Sequence, residues 1–218
     1  MTTGRPRPAF DLTLYLVVGT ADVGGRDLTD VVAAAVRGGV TLVQLREKDR
    51  PSDAVAATAT ALKALLTPLG VPLIVNDNVE AALAAGADGV HLGQDDGDPV
   101  VARAALGPDR IIGLSAGDAA EARTVDPAIV DYAGVGPAYV TGTKADAGAA
   151  IGPAGLRAMR QRLALPIVAI GGITADTVAD VMRCGVDGVA VVSAICAAPD
   201  PEAAARRLRR VIDAARGG

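Results

Sequence analysis

Eight short runs of Val, Ile and Leu recur along this chain, and an Ala-rich segment of helical periodicity follows each one. The strands read as Leu14–Val18, Leu42–Leu45, Leu73–Val75, Gly89–Leu92, Ile111–Leu114, Tyr132–Val135, Ile167–Ile170 and Gly188–Val192. The helices between and after them read as Leu28–Arg37, Ser52–Leu66, Val79–Ala85, Pro99–Leu106, Ala119–Thr124, Ala154–Leu163, Asp176–Cys184 and Pro201–Ala215. Strict alternation of this kind implies a parallel sheet, because each helix returns the chain to the end where the next strand begins. Eight units in 218 residues fit an α/β fold of the single (β/α)8 TIM-barrel type. A doubly wound open sheet is the alternative use of the same pattern. Residues 1–10 read as a flexible tail and 11–218 as one barrel domain, with no linker between.

One repeat supports the barrel. Gly86-Ala87-Asp88-Gly89-Val90 returns as Gly185-Val186-Asp187-Gly188-Val189. In each, a glycine suited to the left-handed position stops a helix and a strand opens directly afterwards. Half of the residues are apolar but only 2% are aromatic, so Ala, Val, Leu and Ile must build the core. That composition suits strands buried on both faces.

Composition also excludes several functions. A net charge of −4 and the absence of Trp argue against nucleic acid, which needs a basic stripe and stacking aromatics. No apolar stretch approaches the roughly 18 residues of a membrane span. Residues 1–8 are polar, contain Arg5 and Arg7, and lead into no signal-peptide core. A cytoplasmic location is the expectation. Cys184 and Cys196, the only cysteines, are too few for a disulfide framework and read as small apolar fillers. The Ala-rich exterior serves a monomer or a homodimer alike.

In such barrels, chemistry sits where strands exit at their C-terminal ends. Strand two exits through Gln44-Leu45-Arg46-Glu47-Lys48, which sets Gln44, Arg46 and Lys48 on one face. Cations on an inward face call for an anion, unless they pair with Glu47 or Asp49 in a solvated loop. Strand three exits through Asn76-Asp77-Asn78 and strand four through Gly93-Gln94-Asp95-Asp96. Asp77 with Asp95 or Asp96 could hold Mg²⁺, which takes one or two carboxylates, waters and phosphate oxygens. Asn78 and Asp96 suit helix capping equally well. Strand five ends at Ser115, with no sequence neighbour to make it a nucleophile. The lone His91 lies inside strand four and reads as a structural hydrogen-bonding residue. After strand six, Thr141, Thr143 and Lys144 cluster in a loop long enough to act as a lid. Strands seven and eight exit through Gly171-Gly172-Ile173-Thr174 and Val192-Ser193-Ala194-Ile195, a common phosphate site in barrels. Two anion sites therefore emerge, one around Arg46, Lys48, Lys144 and the aspartates, the other around Gly171–Gly172 and Val192–Ser193. Two phosphorylated substrates, or one with two phosphate ends, would fill them.

The ordered motifs Gln44–Lys48, Val75–Asp77, Gly89–Asp96, Gly113–Ser115, Asp131–Pro137, Thr141–Lys144, Ala169–Ile173 and Val191–Ile195 resemble the thiamine-phosphate synthase family over nearly the whole chain. The resemblance implies a transferase that joins hydroxymethylpyrimidine diphosphate to a methylthiazole ethyl phosphate, giving thiamine monophosphate and diphosphate. It implies that Gln44, Leu45, Arg46, Glu47, Lys48, Asn76, Ser115 and Lys144 bind the pyrimidine diphosphate. Asp77 and Asp96 would ligate Mg²⁺, and Thr141, Gly142, Thr143, Gly172, Val192 and Ser193 would bind the thiazole phosphate. Arg46, Lys48, Ser115 and Lys144 would carry the catalysis. Two positions depart from the family pattern: Gly117 stands where many relatives carry His, and Val140 where Pro is common. A thiazole tautomerase resembles this pattern too, but relies on that missing His and lacks much of the metal and diphosphate set. A non-catalytic phosphate-sensing barrel would not need that set.

Overall fold

The computed structural model describes residues 8–141 and 148–217. Eight parallel strands close into a barrel in sequence order: β1 (Leu14–Val18), β2 (Leu42–Leu45), β3 (Leu73–Asn76), β4 (Gly89–Leu92), β5 (Ile111–Ser115), β6 (Tyr132–Val135), β7 (Ile167–Ile170) and β8 (Gly188–Val191). β8 returns to pair with β1, so no sheet edge is left. The helices are α1 (Leu28–Arg37), α2 (Ser52–Leu66), α3 (Val79–Ala84), α4 (Pro99–Leu106), α5 (Gly152–Arg162), α6 (Val178–Met182), α7 (Ser193–Cys196) and α8 (Pro201–Arg216).

The helix starts follow capping chemistry. Asp27, Asn78, Asp98 and Asp200 each accept a backbone N–H from the first turn of α1, α3, α4 and α8, which satisfies a donor the helix cannot. Asn78 is thus a cap, as its residue type allowed. Asp96 is not, because Asp98 holds that position. Ser52 is the first residue of α2 rather than its cap, and its hydroxyl accepts from Asn78 Nδ2 at 3.0 Å.

Two helical expectations need correction, and one short helix was not expected. Ala119–Thr124 forms only a single 3-10 turn over Glu121–Thr124. Asp126, Pro127 and a tight turn follow at once, leaving no length for a helix. The segment expected as Asp176–Cys184 is helical only over Val178–Met182. The short α7 after β8 has too few residues to show helical periodicity and went unforeseen.

The core has two layers. Between strands and helices lies an aliphatic shell that includes Leu16, Leu45, Val75, Val90, Leu114, Val135 and Ala169. Alternation along each strand then sends Tyr15, Val17, Leu42, Ile74, Ile111, Tyr132, Val168 and Ala190 into the barrel interior. Burying a Leu or Ile fully is worth roughly 1.5–3 kcal/mol. The last tail residue is part of this interior: Phe10 packs on Tyr132 with ring centroids 5.8 Å apart.

The N-terminal rim repeats one device. Asp88, just before β4, accepts from Leu73 N at 2.8 Å and pairs with Lys63 of α2 at 2.7 Å. Asp131, just before β6, accepts from Ile112 N at 2.9 Å and pairs with Arg103 of α4 at 2.7 Å. Asp187, just before β8, accepts from Ile167 N at 2.8 Å and pairs with Arg160 of α5 at 3.0 Å. At the fourth equivalent place the Thr41 hydroxyl accepts from Leu14 N at 3.1 Å. The aspartate of the sequence repeat is therefore a clamp that locks each even strand to its predecessor and to a helix. Gly86 and Gly185 take the expected left-handed φ, 64° and 82°.

Candidate active site

The opposite rim gathers the candidate residues. β2 carries Gln44 inward and buries it, while Leu45 points the other way into the aliphatic shell. Leu45 can therefore offer a ligand its backbone only. Arg46 is half-buried and Lys48 exposed, both at the β2 exit. Glu47 is committed elsewhere. Its carboxylate accepts from Thr20 N at 2.9 Å and Thr20 Oγ1 at 3.0 Å, which ties the β2 exit to the β1 exit.

β3 ends at Asn76, whose amide donates to Asp77 Oδ2 at 2.9 Å. Asp77 N donates to His91 O at 2.8 Å, extending the β3–β4 pairing to the rim. Asp77 itself sits at φ 56°, the left-handed region that non-glycine residues seldom occupy. Partial removal from water, then the charge of Asp96, push the Asp77 carboxyl above the usual aspartate value, against the Asn76 hydrogen bond and the charges of Arg46 and Lys48. Arg46 and Lys48 leave β2, Asp77 leaves β3 and Asp96 follows β4, so three adjacent strand exits carry both cations and both carboxylates. Asp96 Oδ2 accepts from Gly93 N at 2.6 Å, so the turn after β4 holds the carboxylate in place. Asp95 is exposed.

Ser115 closes β5. Its backbone oxygen accepts from Gln94 Nε2 at 2.6 Å, and Gln94 Oε1 accepts from Thr124 at 3.2 Å. Gln94 thereby braces the β4 and β5 exits. In the turn that follows, Gly117 N donates to Glu121 Oε2 at 2.6 Å.

Across the rim, Gly171 and Gly172 adopt φ values of 100° and 63°. A Cβ on Gly171 would lie 2.6 Å from Pro137 Cβ, and one on Gly172 would lie 2.7 Å from Val140 O. These glycines thus also serve close packing against the 137–140 segment. Tyr139 N donates to Gly171 O at 3.0 Å there. Val192 and Ser193 open α7, with Cys196 N donating back to Val192 O at 2.8 Å. Thr141 is half-buried at the end of the described loop. Gly142, Thr143 and Lys144 lie outside the described residues.

The cysteines stand apart from this rim chemistry. Both are buried, and burial pushes the Cys196 thiol up to about 12, far from a reactive thiolate.

Sequence reasoning missed two interior residues. Tyr15 and Tyr132 occupy inward strand positions and are fully buried. Gln44 Nε2 donates to Tyr15 at 2.7 Å, Tyr15 and Tyr132 hydroxyls are 2.9 Å apart, Tyr132 reaches His91 Nδ1 at 2.9 Å, and His91 Nε2 lies 3.0 Å from Ser115 Oγ. The signal was present: two of only three tyrosines lie inside strands, where a buried hydroxyl demands a partner. His91 has the structural hydrogen-bonding role its position suggested.

Among the described residues, no helix is long and apolar enough to cross a membrane. A family model described as thiamine monophosphate synthase matches residues 14–195. The thiamine-phosphate synthase of Xanthobacter autotrophicus is 60% identical to this chain over 97% of it and 100% of that protein. The thiamine-phosphate synthase of Azorhizobium caulinodans is 53% identical over 97% of this chain and 99% of that one. The solved thiamine phosphate pyrophosphorylase of Pyrococcus furiosus superposes with a TM-score of 0.85 at 34% identity, covering 94% of this chain and 96% of that one. Motif order, barrel, rim geometry and full-length similarity agree, and the chain belongs to the thiamine monophosphate synthase family.

Proposed function

We propose that this rim joins hydroxymethylpyrimidine diphosphate to methylthiazole ethyl phosphate, with the two substrates bound on opposite sides of the barrel mouth. One observation carries the reading: the exits of the adjacent strands β2, β3 and β4 bring Arg46, Lys48, Asp77 and Asp96 to one side of the rim, beside the polar ends of β2 and β5. The diphosphate belongs there, against Arg46 and Lys48. The thiazole phosphate belongs at Gly172, Val192 and Ser193, where small residues let backbone amides approach an anion.

Asp77 and Asp96 fit a magnesium ion. Each has one carboxylate oxygen already held by a neighbouring donor, and their mutual repulsion is what a dication relieves. Among the described residues no third His, Cys, Asp or Glu joins them, which suits a cation that completes its shell with water and phosphate oxygens. When bound there, Mg²⁺ would neutralise diphosphate charge as the leaving group departs.

The chain's own residues then do three things. Arg46 and Lys48, with Lys144 by family resemblance, stabilise charge that grows on the diphosphate as the methylene C–O bond breaks. Gln44 and Ser115 orient the aminopyrimidine, whose electron-rich ring supports the developing cation. The opposite site presents the thiazole nitrogen to that carbon, and proximity supplies much of the rate. No protein nucleophile is required by this reaction, although Ser115 Oγ does lie 3.0 Å from His91 Nε2, a pairing that their separation in sequence concealed.

Mixing both substrates with Mg²⁺ tests the reading. Stoichiometric diphosphate and thiamine monophosphate are expected. Substrate binding without diphosphate release would refute it and favour a tautomerase or a sensor.

A further inference from the structure

Five side chains form one continuous hydrogen-bonded line through the barrel interior: Gln44, Tyr15, Tyr132, His91 and Ser115. Four of the five are buried. The line joins the two side chains assigned above to orienting the pyrimidine substrate. Two interior glycines give it room. A Cβ on Gly113 would fall 2.2 Å from Tyr132 Cζ and 2.5 Å from His91 Nδ1, and one on Gly134 would fall 3.0 Å from His91 Cε1. A glycine inside a strand weakens it, so β5 and β6 give up strand strength where the line crosses.

Each hydroxyl in such a line gives one hydrogen and accepts another, and a neutral imidazole donates from one nitrogen and accepts at the other. Only two self-consistent orders exist. With Gln44 Nε2 donating to Tyr15, the order that follows has Tyr15 donating to Tyr132, Tyr132 to His91 Nδ1, and His91 Nε2–H to Ser115 Oγ. Gln44 then keeps its carbonyl oxygen, an acceptor, for a ligand. Ser115 keeps its hydroxyl hydrogen, a donor. Reversing Gln44 would reverse every bond, so that Gln44 would offer only its NH₂ and Ser115 only lone pairs.

We propose that Tyr15, Tyr132 and His91 are positioning residues that couple the hydrogen-bond polarity of Gln44 to that of Ser115, so that the site offers an acceptor at one end and a donor at the other. This rests on the substrate assignment above. An aminopyrimidine diphosphate carries the complementary pair, an exocyclic amine that donates and phosphate oxygens that accept. A substrate with that pair selects one order, and the line holds both ends in it together. Burial keeps both phenols neutral, as the order requires: it raises their ionisation well above the ordinary tyrosine value.

The chain contains a single histidine, so the order is directly readable. In the untagged, ¹⁵N-labelled full chain without ligand, nitrogen NMR should show a neutral imidazole with its hydrogen on Nε2. Tyr132→Phe removes one oxygen and leaves Nδ1 without its phenol donor, so a mixture of tautomers is expected. Tyr15→Phe removes the bonds to Gln44 and to Tyr132 but leaves the Tyr132–His91 bond, and should keep the Nε2–H form. Both variants should lose roughly tenfold in kcat, the order of one unsatisfied buried hydrogen bond. Their KM for the thiazole phosphate should stay within about twofold, because the line does not reach that side. An Nδ1–H imidazole in the wild type would overturn the proposal. So would wild-type kcat in both folded phenylalanine variants. A wild type that shows the Nε2–H form but releases no diphosphate would instead defeat the substrate assignment.

Discussion

The three aspartate clamps of the N-terminal rim share one geometry and differ in burial, which makes them an internal test of what an ion pair is worth in this fold. The Asp131 side chain is fully buried and Arg103 is 10% exposed, whereas Asp187 is 46% exposed with Arg160 at 27%. Asp131 Oδ2 accepts from both Ile112 N and Arg103 Nη2, so Asp131→Asn can keep that acceptor but removes the negative charge beside Arg103, which is also held by the carbonyls of Ile129 and Gly107. Removing one charge of a buried ion pair costs about 3 kcal/mol or more. At roughly 2–4 °C per kcal/mol for a chain of this size, Tm should fall by about 6–12 °C. Asp187→Asn breaks an exposed pair and should cost about 1 kcal/mol or less. Asp88, 34% exposed, should fall between them. Thermal and urea unfolding of the three variants would measure the series. Room-temperature kcat should hold in all three, because this rim lies opposite the chemistry. Equal losses across the series, or a lost kcat with a native Tm, would refute the reasoning.

Arg46→Ala and Lys144→Ala should each lower kcat on the order of a hundredfold or more by removing charge stabilisation of the leaving diphosphate; near-normal turnover at saturating substrate would remove that role. Gly113→Ala should destabilise by about 1–3 kcal/mol or prevent folding, since the added carbon meets Tyr132 and His91, and a native denaturation midpoint would contradict it. Asp77→Asn tests the metal assignment with a residue that tolerates the left-handed backbone. Because the Asp77 carboxyl is raised in the folded state, the native chain holds that proton more tightly than the unfolded one, and stability falls as pH rises through the aspartate range. The variant should therefore match or exceed the ligand-free wild type in Tm at neutral pH, lose that advantage in acid, and show no Mg²⁺-dependent stabilisation by diphosphate. A lower ligand-free Tm at neutral pH would be the contrary result.

The barrel was legible because its signal is periodic. Runs such as Leu42–Leu45 and Ile167–Ile170 lie between helices with capping residues at their starts, and both keep their expected bounds. The rim set was legible for a related reason: polar residues just beyond a buried strand have only one end of the barrel to occupy. Legibility failed where local pattern is short or ambiguous. The four residues of α7 show no period, and nothing local in the sequence pointed to Thr20, at the exit of the neighbouring β1, as a partner of Glu47. The meaning of Asp88, Asp131 and Asp187 was hidden as well. Two of them sit in the visible repeat, but the third follows Ile129-Val130 without its glycine, and the partner amides are 15, 19 and 20 residues upstream.

The inward layer is where sequence reading and structure part most, and the reason is physical. An eight-stranded barrel must fill its own middle, and here the filling is divided unevenly between neighbouring strands. Tyr132 and Tyr15 project bulk from β6 and β1, and Gly113 and Gly134 withdraw it from β5 and β6. Large and small positions compensate across strands that are distant in sequence, so no window along the chain shows the fit. Aliphatic filling would satisfy the volume. Tyr132→Leu would still leave the Tyr15 hydroxyl and His91 Nδ1 without the partner they share, in a place where an unpaired polar group costs about 1–3 kcal/mol. Once the first phenol enters the barrel interior, each polar atom requires the next. The requirement is met only where the line ends at the rim, at Gln44 and Ser115, the two residues proposed above to orient the pyrimidine substrate.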